Sequence, residues 1–206
     1  MKPRDSERAF FLSGKNVVLS PYSEEAHLTQ CWRWINDPEV RRYLNNDKPI
    51  SLEHERELLR DLTENPAENL FLIIETKRER TPIGTIGLHN INWTNRRAMG
   101  GTMIGEDGYW GKGYGTDAKF ALLYHAFCTL GFEKVCSSVL AFNGRSLNYL
   151  KHTGHREEGR RERQFYRGGV WIDEILLAVF KEDFLPLWEA YDGKPIIPKK
   201  EAINAL

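Results

Sequence analysis

Apolar residues along the chain fall into short continuous runs and into longer stretches spaced by three and four. Asn16–Ser20 (NVVLS) is a β-rich run and predicts a strand. The stretch SEEAHLTQCWRWIND that follows predicts a helix, with Ser23 as its N-cap and Pro38 as its stop. Leu52, Leu58, Leu59 and Leu62 give a second helix, Ser51–Asn65, one apolar face, and Pro66 ends it. Three strand-like runs come next, NLFLIIET, PIGTIGLHNIN and AMGGTMIG, joined by the polar turns KRERT and WTNRR. Phe120, Leu123, Phe127 and Leu130 then mark a long helix that closes at Gly131. KVCSSVLAF is a further strand, and NGRSLNYLKHTG a short helix running from an asparagine to Gly154. HREEGRRERQFYRGGVWIDEILLAVF predicts two strands turning at Gly168-Gly169, and KEDFLPLWEAY a last helical turn. The order β-α-α-β-β-β-α-β-α-β-β describes a mixed α/β domain.

Composition narrows the class. The 206 residues are 41% hydrophobic, enough for one domain with a real core. That domain spans 1–206, with an ordered core at 14–192 and terminal extensions at 1–13 and 193–206. Lys+Arg and Asp+Glu number 29 each, so no basic excess points to nucleic acid. No apolar run reaches the ~20 residues that span a bilayer, and MKPRDSERAFFLSGK lacks the apolar centre of a signal peptide. No membrane partner is expected. Cys31, Cys128 and Cys136 show no CxxC spacing, so neither a disulfide framework nor a zinc or other metal site is expected, and the cytoplasm is the default setting. All three sit in apolar or helical runs and are expected to be buried, which leaves no obvious nucleophile for an acyl-enzyme. The chain is expected to be a monomer or a homodimer.

The densest candidate chemistry is YWGKGYGTDAKFALLYHAF, which places Gly111, Gly113 and Gly115 on alternate positions at a helix entrance. It is not a P-loop, because Lys112 is followed by glycine rather than Ser or Thr. It is not a dinucleotide fingerprint, because GxGxG is not GxGxxG. It does offer consecutive bare amides at the positive end of a helix, which suits a phosphate or pyrophosphate, with Lys112 adding charge. A tight turn that lets the helix pack closely on the sheet would use the same residues.

The wider pattern resembles the GNAT superfamily of acyl-CoA-dependent N-acyltransferases. The family loop, (Arg/Gln)-x-x-Gly-x-(Gly/Ala), is matched by Trp110-Gly111-Lys112-Gly113-Tyr114-Gly115, with Trp at the first position. WRWINDPEVRRYL, PIGTIGLHNINWTNRRA, GYWGKGYGTDA, AFNGRSLNYLKHTG and GGVWIDEILLAVF, in that order, resemble the RimJ/RimL-like branch over nearly the whole chain. The resemblance implies a single GNAT-like α/β domain. Its central sheet would be mixed and mostly antiparallel, splayed between the fourth and fifth strands, AMGGTMIG and KVCSSVLAF, with helices on both faces. It implies acetyl-CoA as cosubstrate, with no metal. The pyrophosphate would lie on Gly111, Lys112, Gly113, Tyr114, Gly115 and Thr116, and the pantetheine arm along Met103, Ile104 and Gly105 and against Asn143.

By the same resemblance the reaction is acetyl transfer to a primary amine, by direct attack in a ternary complex. The acceptor would be a protein N-terminus of ribosomal-protein type or a small amine. A module that binds acyl-CoA without turning it over is the alternative. Transfer needs a polarised carbonyl, a deprotonated amine and a stabilised thiolate. Asn143 is both a natural N-cap and the family's pantetheine contact, and Ser146 places a hydroxyl near the sulfur. Many relatives carry a tyrosine acid seven residues after this asparagine. Here that position is Leu150, and Tyr149, about 100° round the helix, is expected to pack beside it. Base candidates are His89, Asp173 and Glu75, each of which also suits a solvated strand end. His89 has the best unperturbed pKa, near 6.5. Asp173 interrupts an apolar run and suits a cationic amine. Trp34, Tyr43 and Trp93, with Trp32, are candidates for the acceptor pocket, with core packing the alternative for the first helix's two tryptophans.

Overall fold

The computed structural model describes residues 9–46 and 48–192, so residues 1–8 of the expected N-terminal extension and all of the expected C-terminal extension, 193–206, lie outside the described residues. The strands are β1 (Leu12–Ser13), β2 (Val17–Pro21), β3 (Leu70–Thr76), β4 (Pro82–Asn92), β5 (Arg97–Ile104), β6 (Lys134–Leu140), β7 (Arg156–Arg167) and β8 (Val170–Phe180). The helices are α1 (Glu24–Asn36), α2 (Pro38–Arg41), α3 (Leu52–Glu64), α4 (Tyr114–Tyr124), α5 (Gly144–His152) and α6 (Lys181–Ala190). One sheet takes the order β1-β2-β3-β4-β5-β6-β8-β7. Every pair is antiparallel except β5 with β6. The sheet is therefore mixed and mostly antiparallel, as expected. The added edge strand Leu12–Ser13 moves the splay to the fifth and sixth strands, although the residues that part are the expected ones.

Helices cover both faces, and strand alternation decides which residue meets which helix. On β3, Leu72 and Ile74 join the cluster of α4 and α6, which holds Leu122, Phe127 and Phe184. Their neighbour Ile73 joins Leu28, Cys31, Trp34 and Leu59 of α1 and α3 on the other face, with Phe71 packed against them. Full burial of one such side chain stabilises by roughly 1.5–3 kcal/mol. A smaller cluster of Val139, Leu150, Ile175 and Leu177 seats α5 on β6 and β8.

Three local differences have physical causes. Pro38 opens α2 as well as closing α1, because Asp37 accepts from the Glu39 amide at 2.8 Å and proline suits the first helical position. The long helix leaves α geometry after Tyr124 and continues as one π-helical turn, His125–Thr129, with Leu130 N bonded to His125 O at 3.0 Å. Cys128 stands exposed on that turn, a correction to its expected burial. The final helical turn is a full helix, Lys181–Ala190.

Candidate active site

The site begins where two strands part. β5 and β6 pair only over Arg97, Ala98 and Met99 against Lys134, Val135 and Cys136. Ser137 Oγ donates to the Gly100 carbonyl at 3.0 Å, and beyond that point the strands run on unpaired with each other. A cleft of about 1310 Å³ occupies the gap.

The glycine loop stands at the mouth of this cleft. Gly111 and Gly113 have φ of +71° and +85°, which L side chains rarely adopt. A Cβ at either would meet nothing within 4 Å, so tight packing is not what requires glycine there. Gly113 caps α4 without a side-chain hydrogen bond. The first-turn amides of Tyr114, Gly115 and Thr116 have no acceptor within the helix. Met103, Ile104, Tyr114 and Thr116 line the cleft beside the loop. Lys112 is exposed and Gly105 is packed against the Trp34 ring, and neither lines it.

Asp117 fixes this entrance. Its carboxylate accepts from the amides of Lys15 (2.8 Å), Asn16 (2.7 Å) and Val17 (3.0 Å), which ties the β1–β2 turn to the first turn of α4. Trp110 donates through Nε1 to the Ile104 carbonyl at 2.7 Å, and the Arg145 guanidinium lies 3.9 Å over its ring. Tyr43 meets the Trp110 ring edge-on and the Arg145 guanidinium at 4.9 Å, so the turn after α2 and the start of α5 meet over Trp110. The sequence reading missed Arg145, which occupies the space above the loop's non-basic first residue.

Across the gap, Asn143 Oδ1 accepts from the Ser146 amide at 3.1 Å, and both residues line the cleft. Tyr149 packs against the cluster of Val139, Leu150 and Ile175, as expected, and lines the cleft as well. Ser146 and Tyr149 are three apart and share a helix face, while Leu150 turns into the core between Val139 and Ile175. The Tyr149 hydroxyl comes beside Thr102 of β5, and burial pushes it up to about 12, with Thr102 opposing the shift.

His89 lines the cleft on β4, its Cε1 3.5 Å from the Cβ position of Gly101. Burial, and next the positive Lys119, hold it below the usual histidine range. Asp173 lies outside the cleft and serves the β7–β8 hairpin. It accepts from Arg160 Nη1 at 3.0 Å and from the Arg163 amide at 2.8 Å, where φ is +50°. Those bonds, the amide first, hold its carboxyl below the usual range. Glu75 is fully buried on β3 and accepts from Ser20 Oγ (2.7 Å) and Arg80 Nη2 (2.7 Å).

Of the aromatic candidates, Tyr43 alone lines the cleft. Trp34 is buried with Nε1 on Glu106, Trp32 donates to the Ile50 carbonyl, and Trp93 is exposed with Nε1 on the Ala67 carbonyl. No cysteine lines the cleft.

A half-open α/β sheet with bare helix amides at its mouth, and hydroxyls and a histidine inside, is an arrangement that suits group transfer from a phosphorylated donor. A family model described as "Acetyltransferase (GNAT) domain" matches residues 16–156, and the chain belongs to that family as a GNAT N-acetyltransferase. A Bacillus licheniformis protein named "Uncharacterized N-acetyltransferase p20" is 27% identical over 157 residues, covering 75% of this chain and 86% of its own. The spermidine N-acetyltransferase from Vibrio cholerae in complex with CoA and spermine superposes with a TM-score of 0.75 at 20% identity, over 82% of this chain and 98% of that one. Mycobacterium smegmatis RimJ in complex with CoA-disulfide superposes with a TM-score of 0.73 at 21% identity, over 86% and 90%. Among the described residues no helix is long and apolar enough to cross a membrane.

Proposed function

We propose that this cleft transfers an acetyl group from acetyl-CoA to a primary amine by direct attack in a ternary complex. The carrying observation is the parting of β5 from β6 at Gly100 and Ser137, with the unpaired edges leading to the bare amides of α4. The pyrophosphate takes the amides of the Gly111–Gly115 loop and of Thr116, with Arg145 adding charge from its seat on Trp110. The pantetheine arm runs between the strand edges past Met103 and Ile104 towards Asn143. The amine nitrogen forms its bond to the acetyl carbon as the S–C bond breaks. His89 receives the proton released from the nitrogen, and Tyr149, with Ser146 beside it, donates a hydrogen bond to the departing thiolate, which takes its proton from water. Ser146 and Tyr149 both line the cleft, and a phenol pushed up to about 12 stays protonated and able to donate a hydrogen bond, which supports that division. No cleft cysteine is available to carry an acyl group, which supports direct attack.

The acceptor side favours a protein N-terminus over a polyamine, in line with the RimJ/RimL-like branch and a cytoplasmic setting. Its wall is apolar, formed by Ile35, Val40, Leu44, Leu62 and Phe71 with Tyr43. Among the described residues the one carboxylate lining the cleft is Asp117, which is occupied by three backbone amides. A polycation finds no free anion there. The test is thiol release from acetyl-CoA with peptides and with spermidine as acceptors. Release with peptides and not spermidine is expected; the reverse order contradicts the acceptor reading, and no release with any amine contradicts the transfer.

A further inference from the structure

Lys119 has no part in the steps above, yet its position on α4 is unusual. It is fully buried, and its Nζ makes no hydrogen bond among the described residues. A charged amine out of water without a partner is strongly disfavoured, so such a group persists where something offsets it or uses it. Among the described residues no carboxylate does so. Asp117, two residues before it, is taken by the amides of residues 15–17. The titratable groups that feel its charge are His89 on β4 and His155 ahead of β7, and both are held neutral by burial first and by Lys119 second. Burial alone brings Lys119 itself down to about 7.

Lys119 does not itself line the cleft, but its Nζ lies beneath the vertex, beside the α-carbon of Gly100. A Cβ on Gly100 would stand 3.1 Å from Nζ and 2.9 Å from Val135 Cγ1. Any side chain at residue 100 would therefore fill the space in front of the charge. Consecutive strand residues point to opposite faces, and the His89 ring lies against the Gly101 side. The point where β5 leaves β6 thus carries a neutral histidine on one face and a buried amine on the other. The carbonyl between them, that of Gly100, is held by Ser137.

We propose that Lys119 is a buried counter-charge for the sulfur of the acyl donor, stabilising the CoA thiolate as the S–C bond breaks and the N–C bond forms. The inference rests on the reading that places the thioester at this vertex. Lys119 acts through space across the bare α-carbon of Gly100, so it is a positioning charge and not a group in contact with the acetyl carbon. The thiolate accepts a hydrogen bond from Tyr149 and takes its proton from water as CoA leaves. In a crevice of low dielectric an opposite charge within a few ångströms outweighs the screening it would meet in water.

The test is a titration of the thiol of bound CoA, followed by thiolate ultraviolet absorbance as a difference against the desulfo-CoA complex. Free CoA carries an alkyl thiol, and its titration under the same conditions is the reference. Burial alone raises a thiol, and a nearby cation lowers it by about one to three units. In the native protein the bound thiol is therefore expected to titrate below that of free CoA. In Lys119→Met, which keeps the length and removes the charge, it is expected above that of free CoA, with acetyl transfer reduced about tenfold or more. A native value at or above that of free CoA overturns the proposal, and so does an equal value in the two proteins. The native measurement decides alone if the variant does not fold. Should the native protein bind no CoA, the reading of the cleft falls and takes this inference with it. If CoA binds with an unshifted thiol, this inference falls by itself.

Discussion

Ser137 on β6 donates its hydroxyl to the carbonyl of Gly100 on β5 at 3.0 Å, one residue past the last pair of the two strands. The latch sets where the sheet stops and the cleft begins. Ser137→Ala removes it and leaves the Gly100 carbonyl without that donor. A net hydrogen bond contributes about 1 kcal/mol, so a loss of that size in unfolding free energy is expected, with KM for acetyl-CoA raised a few-fold. Denaturant titration and steady-state kinetics measure both. If neither moves, the vertex is held by the strand pairing alone.

Asp117 is the second fastening, because three backbone donors converge on its carboxylate beside the loop. Asp117→Ala leaves those amides without an acceptor in a part-buried place, and each buried unsatisfied donor costs about 1–3 kcal/mol. The variant is expected to melt well below the native protein and to bind CoA more weakly. A melting temperature equal to the native one contradicts the role given to this residue.

Tyr149→Phe removes the hydroxyl beside Thr102 and keeps the ring in place. Removing one preorganised donor from a developing negative charge costs roughly 100-fold or more, so a fall of that order in kcat is expected, with CoA affinity little changed. Turnover within a few-fold of the native value would return the role to Ser146 or to water.

His89 supplies a pH signature. Burial and the Lys119 charge depress its pKa, so it stays neutral and able to accept a proton until the pH falls below the usual histidine value of about 6.5. The acid limb of kcat/KM is therefore expected below pH ~6.5, with full activity above it. His89→Gln is expected to lose about 100-fold and to lack that limb. A native limb at or above the usual histidine value, or one that persists in the variant, rules His89 out as the base.

Several of these residues were legible in the sequence and others were not, for physical reasons. Asn143 announced itself as a cap after an apolar strand, and the alternate glycines announced an unusual helix entrance. Asp173 misled because its place in an apolar run looked functional, whereas it holds a left-handed turn at Arg163 across the hairpin. Trp34 and Trp93 misled because an aromatic's partner is a matter of tertiary packing. Tyr149 packs beside the short helix as its offset from Leu150 suggested, but its place on the cleft wall depends on where β5 stands, which its spacing does not tell. Lys119 interrupts the apolar run DAKFALL in plain view, but only the fold shows that α4 is covered on that side. The strand Leu12–Ser13 is too short to carry any period.

The central claim is that the glycine loop holds the pyrophosphate of CoA, and calorimetric binding of CoA to Gly113→Asn tests it most directly. Asparagine tolerates positive φ, so the turn survives, and the new side chain projects into space that no protein atom occupies within 4 Å. Charge-assisted hydrogen bonds contribute about 1.5–3 kcal/mol each, so losing one weakens binding by roughly tenfold or more. The account predicts that loss with the melting temperature unchanged. Equal CoA affinity in a folded variant would contradict it.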